Sequence, residues 1–140
     1  NNLSCKLYDL KIDKDTIHKV DLKDVCYIVD AVDDLEAKLA ILMKAKELNI
    51  PIISSMGVAN KVNIKDLKIA DVSKTDTCPL ARKYRKMVRD LRIKDVPVLY
   101  SKEEPVNKEM GTIDYLVTAA ALLITEFIIK DLLGDSNEAT

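Results

Sequence analysis

VCYIVDAVDDLEAKLAILMKAKELNIPIISSMG, Val25–Gly57, is the stretch that decides the fold class. Val25 to Val29 is β-branched and aromatic and runs into Asp30, the pattern of a buried strand with its functional end at the aspartate. From Asp33 to Asn49 the apolar residues Leu35, Leu39, Leu42, Met43 and Ala45 recur at helical spacing. Asp33 and Asp34 fall in the first turn, where the helix dipole favours negative charge, and Asn49 is a stop signal. Pro51 then opens a second apolar strand, PIISSMG, which ends in Ser54, Ser55 and Gly57. Two strands joined by one helix through short connections form a βαβ unit, so they run parallel with a right-handed crossover, and the fold class is α/β.

Upstream, Cys5 to Ile12 alternates, with Cys5, Leu7, Leu10 and Ile12 broken by Lys6, Asp9 and Lys11, and reads as a short strand; Asp13 and Asp15 then offer caps to a brief helix through Val20. Downstream, Leu67 to Val72 is a strand, and a basic helix runs from Pro79, at the first helical position, to about Arg92. Val96 to Ser101 is a short strand, Lys102 to Met110 a mobile polar loop, and Gly111 to Tyr115 a last strand. An apolar helix, Val117 to Leu133, is stopped by Gly134. Residues 1–134 are expected to make one domain and 135–140 a disordered tail.

With 140 residues, 48% of them apolar, the chain can bury a single core. A net charge of −1 excludes a large basic field over the whole surface, so any nucleic-acid contact must be local. Cys5, Cys26 and Cys78 form no C-x-x-C pair and His18 is the single histidine, which argues against a zinc site or a disulfide framework. The most apolar run, Leu116 to Leu133, is interrupted by Glu126 and Lys130, and the reading is a cytoplasmic protein that does not enter membranes.

In a parallel α/β sheet ligands bind at the carboxyl ends of the strands, which puts Asp30, Asp33 and Ser54 to Gly57 on one rim. Nucleotide sites of this kind normally open with a glycine-rich turn whose bare backbone approaches phosphate. The chain has three glycines, Gly57, Gly111 and Gly134, no two of them close, so neither a G-x-G-x-x-G turn nor a P-loop can be assembled. The abrupt start at Asn1 reads as a fragment whose amino-terminal half would carry that loop.

Four blocks, YIVDAVDDLEAKLAIL (Tyr27 to Leu42), IPIISSMGVANK (Ile50 to Lys61), IADVSKTDTCPLARKYRK (Ile69 to Lys86) and VPVLYSKEEP (Val96 to Pro105), carry a resemblance. In this order and spacing they resemble the tRNA threonylcarbamoyladenosine dehydratase branch of the ThiF/MoeB/HesA, ubiquitin-activating-like, superfamily. The closing GTIDYLVTAAALLITEFIIKDLLG is similar to that family's last helix. The resemblance implies the carboxyl-terminal part of a Rossmann-like ThiF/MoeB-type fold, with a mixed sheet and flanking helices. It also implies a homodimeric enzyme that uses ATP and Mg2+ to activate the threonylcarbamoyl carboxylate at position 37 of tRNA as an acyl adenylate, which cyclises with net loss of water. Alternatives are an adenylating enzyme for a ubiquitin-like sulfur-carrier protein, with a carrier or sulfur-relay partner, and a non-catalytic dimerisation domain.

Each candidate residue also has a plainer explanation. Asp33 matches the family's acidic residue on nucleotide and metal, but an N-cap would suit it equally. Asp30 is expected at the ATP site, or it satisfies local amides only. Lys38 is the candidate catalytic group, set against an intrahelical pair with Asp34. Ser54, Ser55 and Gly57 are expected to meet ATP, against an ordinary turn. Arg82, Lys83, Arg85, Lys86 and Arg89, followed by Arg92, are the candidate tRNA contacts, against a solvated helix face. Cys78 lies just before Pro79 without a histidine nearby, which argues against thioester chemistry. Met43, Met56 and Met87 read as packing and His18 as a surface residue.

Overall fold

The structure, a computed structural model, describes residues 4–105 and 111–134. Its regular elements are β1 (Ile28–Asp30), α1 (Leu35–Glu47), β2 (Ile52–Ser55), β3 (Leu67–Asp71), α2 (Pro79–Asp90), β4 (Pro97–Ser101) and α3 (Asp114–Leu133). The strands form one sheet in the order β1-β2-β4-β3. β1, β2 and β4 are parallel, in registers that set Asp30 opposite Ser54 and Ser55 opposite Leu99. β3 runs antiparallel to β4, from Leu67 opposite Ser101 to Asp71 opposite Pro97, so the sheet is mixed, as expected.

Both faces of the inner strands β2 and β4 are covered, which is why they read as continuous apolar runs, whereas Val29 of the edge strand β1 is 49% exposed. On one face Ile52, Val98 and Tyr100 pack with Leu42 and Ala45 of α1 and with Ala81, Tyr84 and Val88 of α2. On the other, Ile53, Leu67 and Leu99 meet Leu116, Ala120 and Ile124, a single stripe of α3 at fourfold spacing. The alternation of Ile52 with Ile53, and of Val98, Leu99 and Tyr100, is the strand period distributing side chains to two layers.

Helix ends follow local chemistry. Asp34 is the N-cap of α1, its Oδ1 accepting from the Ala37 amide at 2.8 Å. Asn49, at φ 55°, closes that helix in the left-handed region. Pro79 opens α2, and Gly134, at φ 82°, ends α3. No helix among the described residues is long and apolar enough to cross a membrane.

Three expectations fail. Cys5 to Ile12 forms no strand: Leu7 is 91% exposed, the apolar positions break step between Leu7 and Leu10, and no strand lies alongside. Gly111 to Tyr115 forms none either, because the Gly111 backbone pairs with Asn60 and α3 starts at Asp114. The helix after Asp13 shrinks to one 3-10 turn, Ile17–Lys19, because the Asp13 carboxylate and the Thr16 hydroxyl bind each other and nearby backbone and hold a turn instead. Met43, expected in the core, is 51% exposed, whereas Met56 is buried. The expected mobile loop lies partly, and the expected disordered tail wholly, outside the described residues.

Candidate functional site

The parallel register brings the carboxyl ends of β1, β2 and β4 to one rim, and the chain turns there into the loops that carry the candidate residues. Asp30, the last residue of β1, is buried, and its Oδ1 accepts from the Val32 amide at 3.2 Å. Lys38, in the second turn of α1, points back into this strand end. Its Nζ donates to Asp30 Oδ1 and Oδ2 at 3.2 and 3.1 Å and to the Ser55 carbonyl at 2.7 Å. Both side chains of the pair are fully buried. One ammonium thus ties β1, β2 and α1 together.

This arrangement changes two sequence readings. The partner of Lys38 is Asp30 rather than Asp34, whose carboxylate is spent on the α1 cap. The Lys38 ammonium is also fully buried and donates to both Asp30 oxygens and to the Ser55 carbonyl. Burial lowers the affinity of Lys38 for its proton, and Asp30, then Asp33, oppose that shift. Asp33 therefore lies within electrostatic reach of the pair, yet it is exposed and takes no part in capping α1. The plainer explanation of Asp33 as a cap belongs to its neighbour.

On β2, Ser54 is buried with its Oγ 3.4 Å from the Tyr84 hydroxyl of α2. Burial raises the Tyr84 phenol well above its usual range, with the Ser54 bond opposing and Asp30 adding to the shift. Tyr84 is absent from the sequence candidates; its signal is the stripe Ala81, Tyr84, Val88 at helical spacing inside a basic helix. The Ser55 hydroxyl donates to the Met56 carbonyl at 3.3 Å, beside the open end of β2. Gly57 has no left-handed backbone, and a Cβ there would meet only Leu80 Cδ2, at 3.9 Å. Neither conformation nor neighbours demand a glycine at that point.

Past Gly57 the loop carries Lys61, a second buried lysine that was not among the candidates. Its Nζ has no hydrogen-bond partner among the described residues. The loop is clamped by Glu103, whose Oε2 accepts from the amides of Val62 and Asn63, both at 2.9 Å. The Asn63 amide is the main cause holding the Glu103 carboxyl below its ordinary value; the Val62 amide, the Asn63 side chain and the Lys61 charge add smaller effects, partly offset by desolvation.

The basic helix is divided. Arg82, Lys83, Lys86 and Arg89 are exposed, while Arg85 is half-buried and donates to the Thr75 carbonyl and to Thr75 Oγ1. Leu80, near the start of α2, lies by Gly57 at the rim, and the helix ends beside Ile93 at the opposite edge of the sheet. Cys78 is buried as the N-cap of α2, its Sγ accepting from the Ala81 amide at 3.5 Å. Among the described residues no three His, Cys, Asp or Glu side chains converge to hold a metal ion by themselves.

No family model matches the chain. It is 33% identical to the tRNA threonylcarbamoyladenosine dehydratase of Bacillus subtilis over 130 aligned positions, covering 78% of this chain and 51% of that protein. It is 34% identical to tRNA threonylcarbamoyladenosine dehydratase 2 of Saccharomyces cerevisiae over 84 positions, 59% of this chain and 19% of that one. Its fold matches the crystal structure of Escherichia coli tRNA N6-threonylcarbamoyladenosine dehydratase, TcdA, in complex with ATP, with a TM-score of 0.83 at 19% identity over 92% of this chain and 56% of that one. The chain thus spans about half the length of the Bacillus relative and of the solved chain.

Proposed function

We propose, on the premise that this chain is homologous to the tRNA threonylcarbamoyladenosine dehydratases over most of its length, that it supplies the acidic rim of an ATP-dependent tRNA-modifying enzyme. The observation that carries the reading is the rim itself: a 33% identical relative bears that activity in its name, and the structure leaves Asp33 exposed there, relieved of capping. The reaction is activation of the threonylcarbamoyl carboxylate as an acyl adenylate, then ring closure with net loss of one water. Adenylation releases pyrophosphate and makes one carboxylate oxygen part of a good leaving group, AMP, whose loss on ring closure couples the dehydration to ATP cleavage.

The residues divide the work. Asp33 is the ligand for Mg2+; this ion takes one or two carboxylates and completes its shell with water and phosphate oxygens, so a single exposed aspartate suits it. Mg2+ would neutralise charge on the ATP phosphates. Asp30 and Lys38 position rather than contact: their buried pair fixes the end of β1 against the start of α1, so the loop carrying Asp33 is held from both sides. Ser55 and Gly57 present a hydroxyl and an unencumbered backbone to the ATP, and Ser54 is kept in place by Tyr84. The phosphates are ordinarily held by a glycine-rich turn, and the 140 residues contain none.

Arg82, Lys83, Lys86 and Arg89 are the proposed tRNA contacts, a local basic cluster on a chain of net charge −1, with Arg85 tied to Thr75 beneath them. The outward residues of α3, among them Val117, Leu122, Ile129 and Leu133, are apolar and exposed, which supports a homodimer closed over this helix.

The test incubates the full-length gene product with ATP, Mg2+ and tRNA containing threonylcarbamoyladenosine, then weighs the nucleoside by mass spectrometry. Loss of one water is expected. An unchanged mass rejects the reading.

A further inference from the structure

The carboxyl end of α2 and the turn that follows it frame a pocket of about 910 Å3 at the amino edge of the sheet, opposite the rim. Its walls include Lys74, Arg89, Arg92 and Lys94, all exposed. We propose that this pocket binds the phosphodiester backbone of RNA, as a second contact for the tRNA substrate remote from the ATP rim. The inference rests on the tRNA reading and adds to the candidate cluster, which supplies Arg89 and Arg92 here, two residues from outside it, Lys74 and Lys94.

The charge balance of the pocket favours an anion. Of the two carboxylates in its walls, Asp71 is held by the backbone: Oδ1 accepts from the Ser73 amide at 2.9 Å and from the Ser73 hydroxyl, and Oδ2 from the Val96 amide at 2.9 Å. Five cations, Lys74, Arg85, Arg89, Arg92 and Lys94, thus outnumber the two carboxylates of the walls, and Asp90, outside them, lies 3.9 Å from Arg89. Arg85, which also lines the pocket, is engaged by Thr75 and helps build the wall.

The frame is rigid, which matters because ordering flexible cations on binding costs affinity. The Ile93 amide donates to the Val88 carbonyl at 3.1 Å, and Lys46 Nζ, reaching over from α1, donates to the Lys94 and Asp95 carbonyls at 3.0 and 2.9 Å. Val72 and Val96 are joined by a backbone bond of 2.8 Å across the pocket floor. The cations are thus displayed from fixed backbone.

Geometry also joins this pocket to the proposed chemistry. α2 has 12 residues, so at 1.5 Å per residue it spans about 18 Å from the rim to the pocket. Arg82 and Lys83 lie near its rim end and Arg89 near its pocket end. A backbone following the helix would touch the pocket while its modified nucleoside reached the rim. The RNA backbone in the pocket and the ATP at the rim would then lie at opposite edges of the sheet, with only the modified nucleoside reaching the ATP.

The test titrates the chain with a fluorescein-labelled anticodon stem-loop RNA and follows anisotropy at several salt concentrations. Arg92 sits at φ 56°, where glycine is favoured, so Arg92→Gly removes a cation without endangering the fold. The double variant Arg92→Gly, Lys94→Gln is expected to bind at least tenfold more weakly at low salt. Its plot of log affinity against log salt should also be shallower by about 0.7–0.9 for each phosphate that the variant no longer neutralises. An unchanged affinity and slope in the double variant, with the wild type binding, overturns the pocket and leaves the tRNA reading standing. No binding by the wild type overturns both. Equal binding of poly-glutamate, abolished in the same variant, overturns the assignment to RNA.

Discussion

Lys38 Nζ lies 3.1 Å from Asp30 Oδ2 with both side chains fully buried, and the same ammonium donates to the carbonyl of Ser55 at 2.7 Å. Removing one member of a buried pair leaves the other uncompensated, which typically costs about 3–5 kcal/mol. Lys38→Met is therefore expected to lower stability by about that amount, read from the urea midpoint. Adding Asp30→Asn, which keeps an oxygen for the Val32 amide, should recover part of the loss; equal stability of Lys38→Met and wild type would show the pair to be idle.

Lys61 is the converse case, since its buried ammonium has no acceptor among the described residues. A buried polar group left unsatisfied costs about 1–3 kcal/mol and more when charged. Lys61→Met, similar in volume, is expected to raise the stability of the ligand-free chain by roughly that amount. The same substitution at two buried lysines thus shifts the midpoint in opposite directions, and a fall at Lys61 would contradict this assignment.

Asp33 and Asp34 are neighbours with different duties. Asp34→Ala removes the cap bond to Ala37 and should cost about 1 kcal/mol. Asp33→Ala touches no cap and should stay within about 0.5 kcal/mol of wild type. Thermal melts of the two variants decide the matter.

Asp71 gives the fold a pH dependence in the acid range. Burial alone would raise its pKa, but hydrogen bonds from Ser73 and the Val96 amide outweigh that and hold it below the ordinary 3.8. A carboxyl depressed on folding contributes stability that is fully present above the unfolded value and is lost as pH falls through the folded one. Acid titration of the urea midpoint should therefore drop less steeply below pH 3.8 in Asp71→Asn than in wild type; parallel curves would refute the assignment.

Much of this was legible in the sequence because the βαβ core obeys local rules. The run ending in Asp30, the helical spacing from Leu35 to Ala45 and the apolar PIISS announce their elements, and the strands align in parallel as expected. Cys5 to Ile12 misled because a mixed apolar and polar run makes a strand only where an edge receives it. At the site, sequence placed Asp30 and Lys38 near each other along the chain but not in contact. They lie eight residues apart, and their pairing depends on how α1 folds back over β1. Lys61 carries no signal of its burial, since nothing local separates it from any loop lysine, whereas Tyr84 shows in the stripe Ala81, Tyr84 and Val88 at helical spacing.

The central claim, that Asp33 serves ATP at this rim, is tested most directly by ATP–pyrophosphate exchange in the full-length gene product. Wild type should exchange label in the presence of threonylcarbamoyladenosine-containing tRNA, and Asp33→Ala, folded and equally stable, should lose at least about 2 kcal/mol of transition-state stabilisation, a thirtyfold fall in rate. Full exchange by Asp33→Ala would contradict the account.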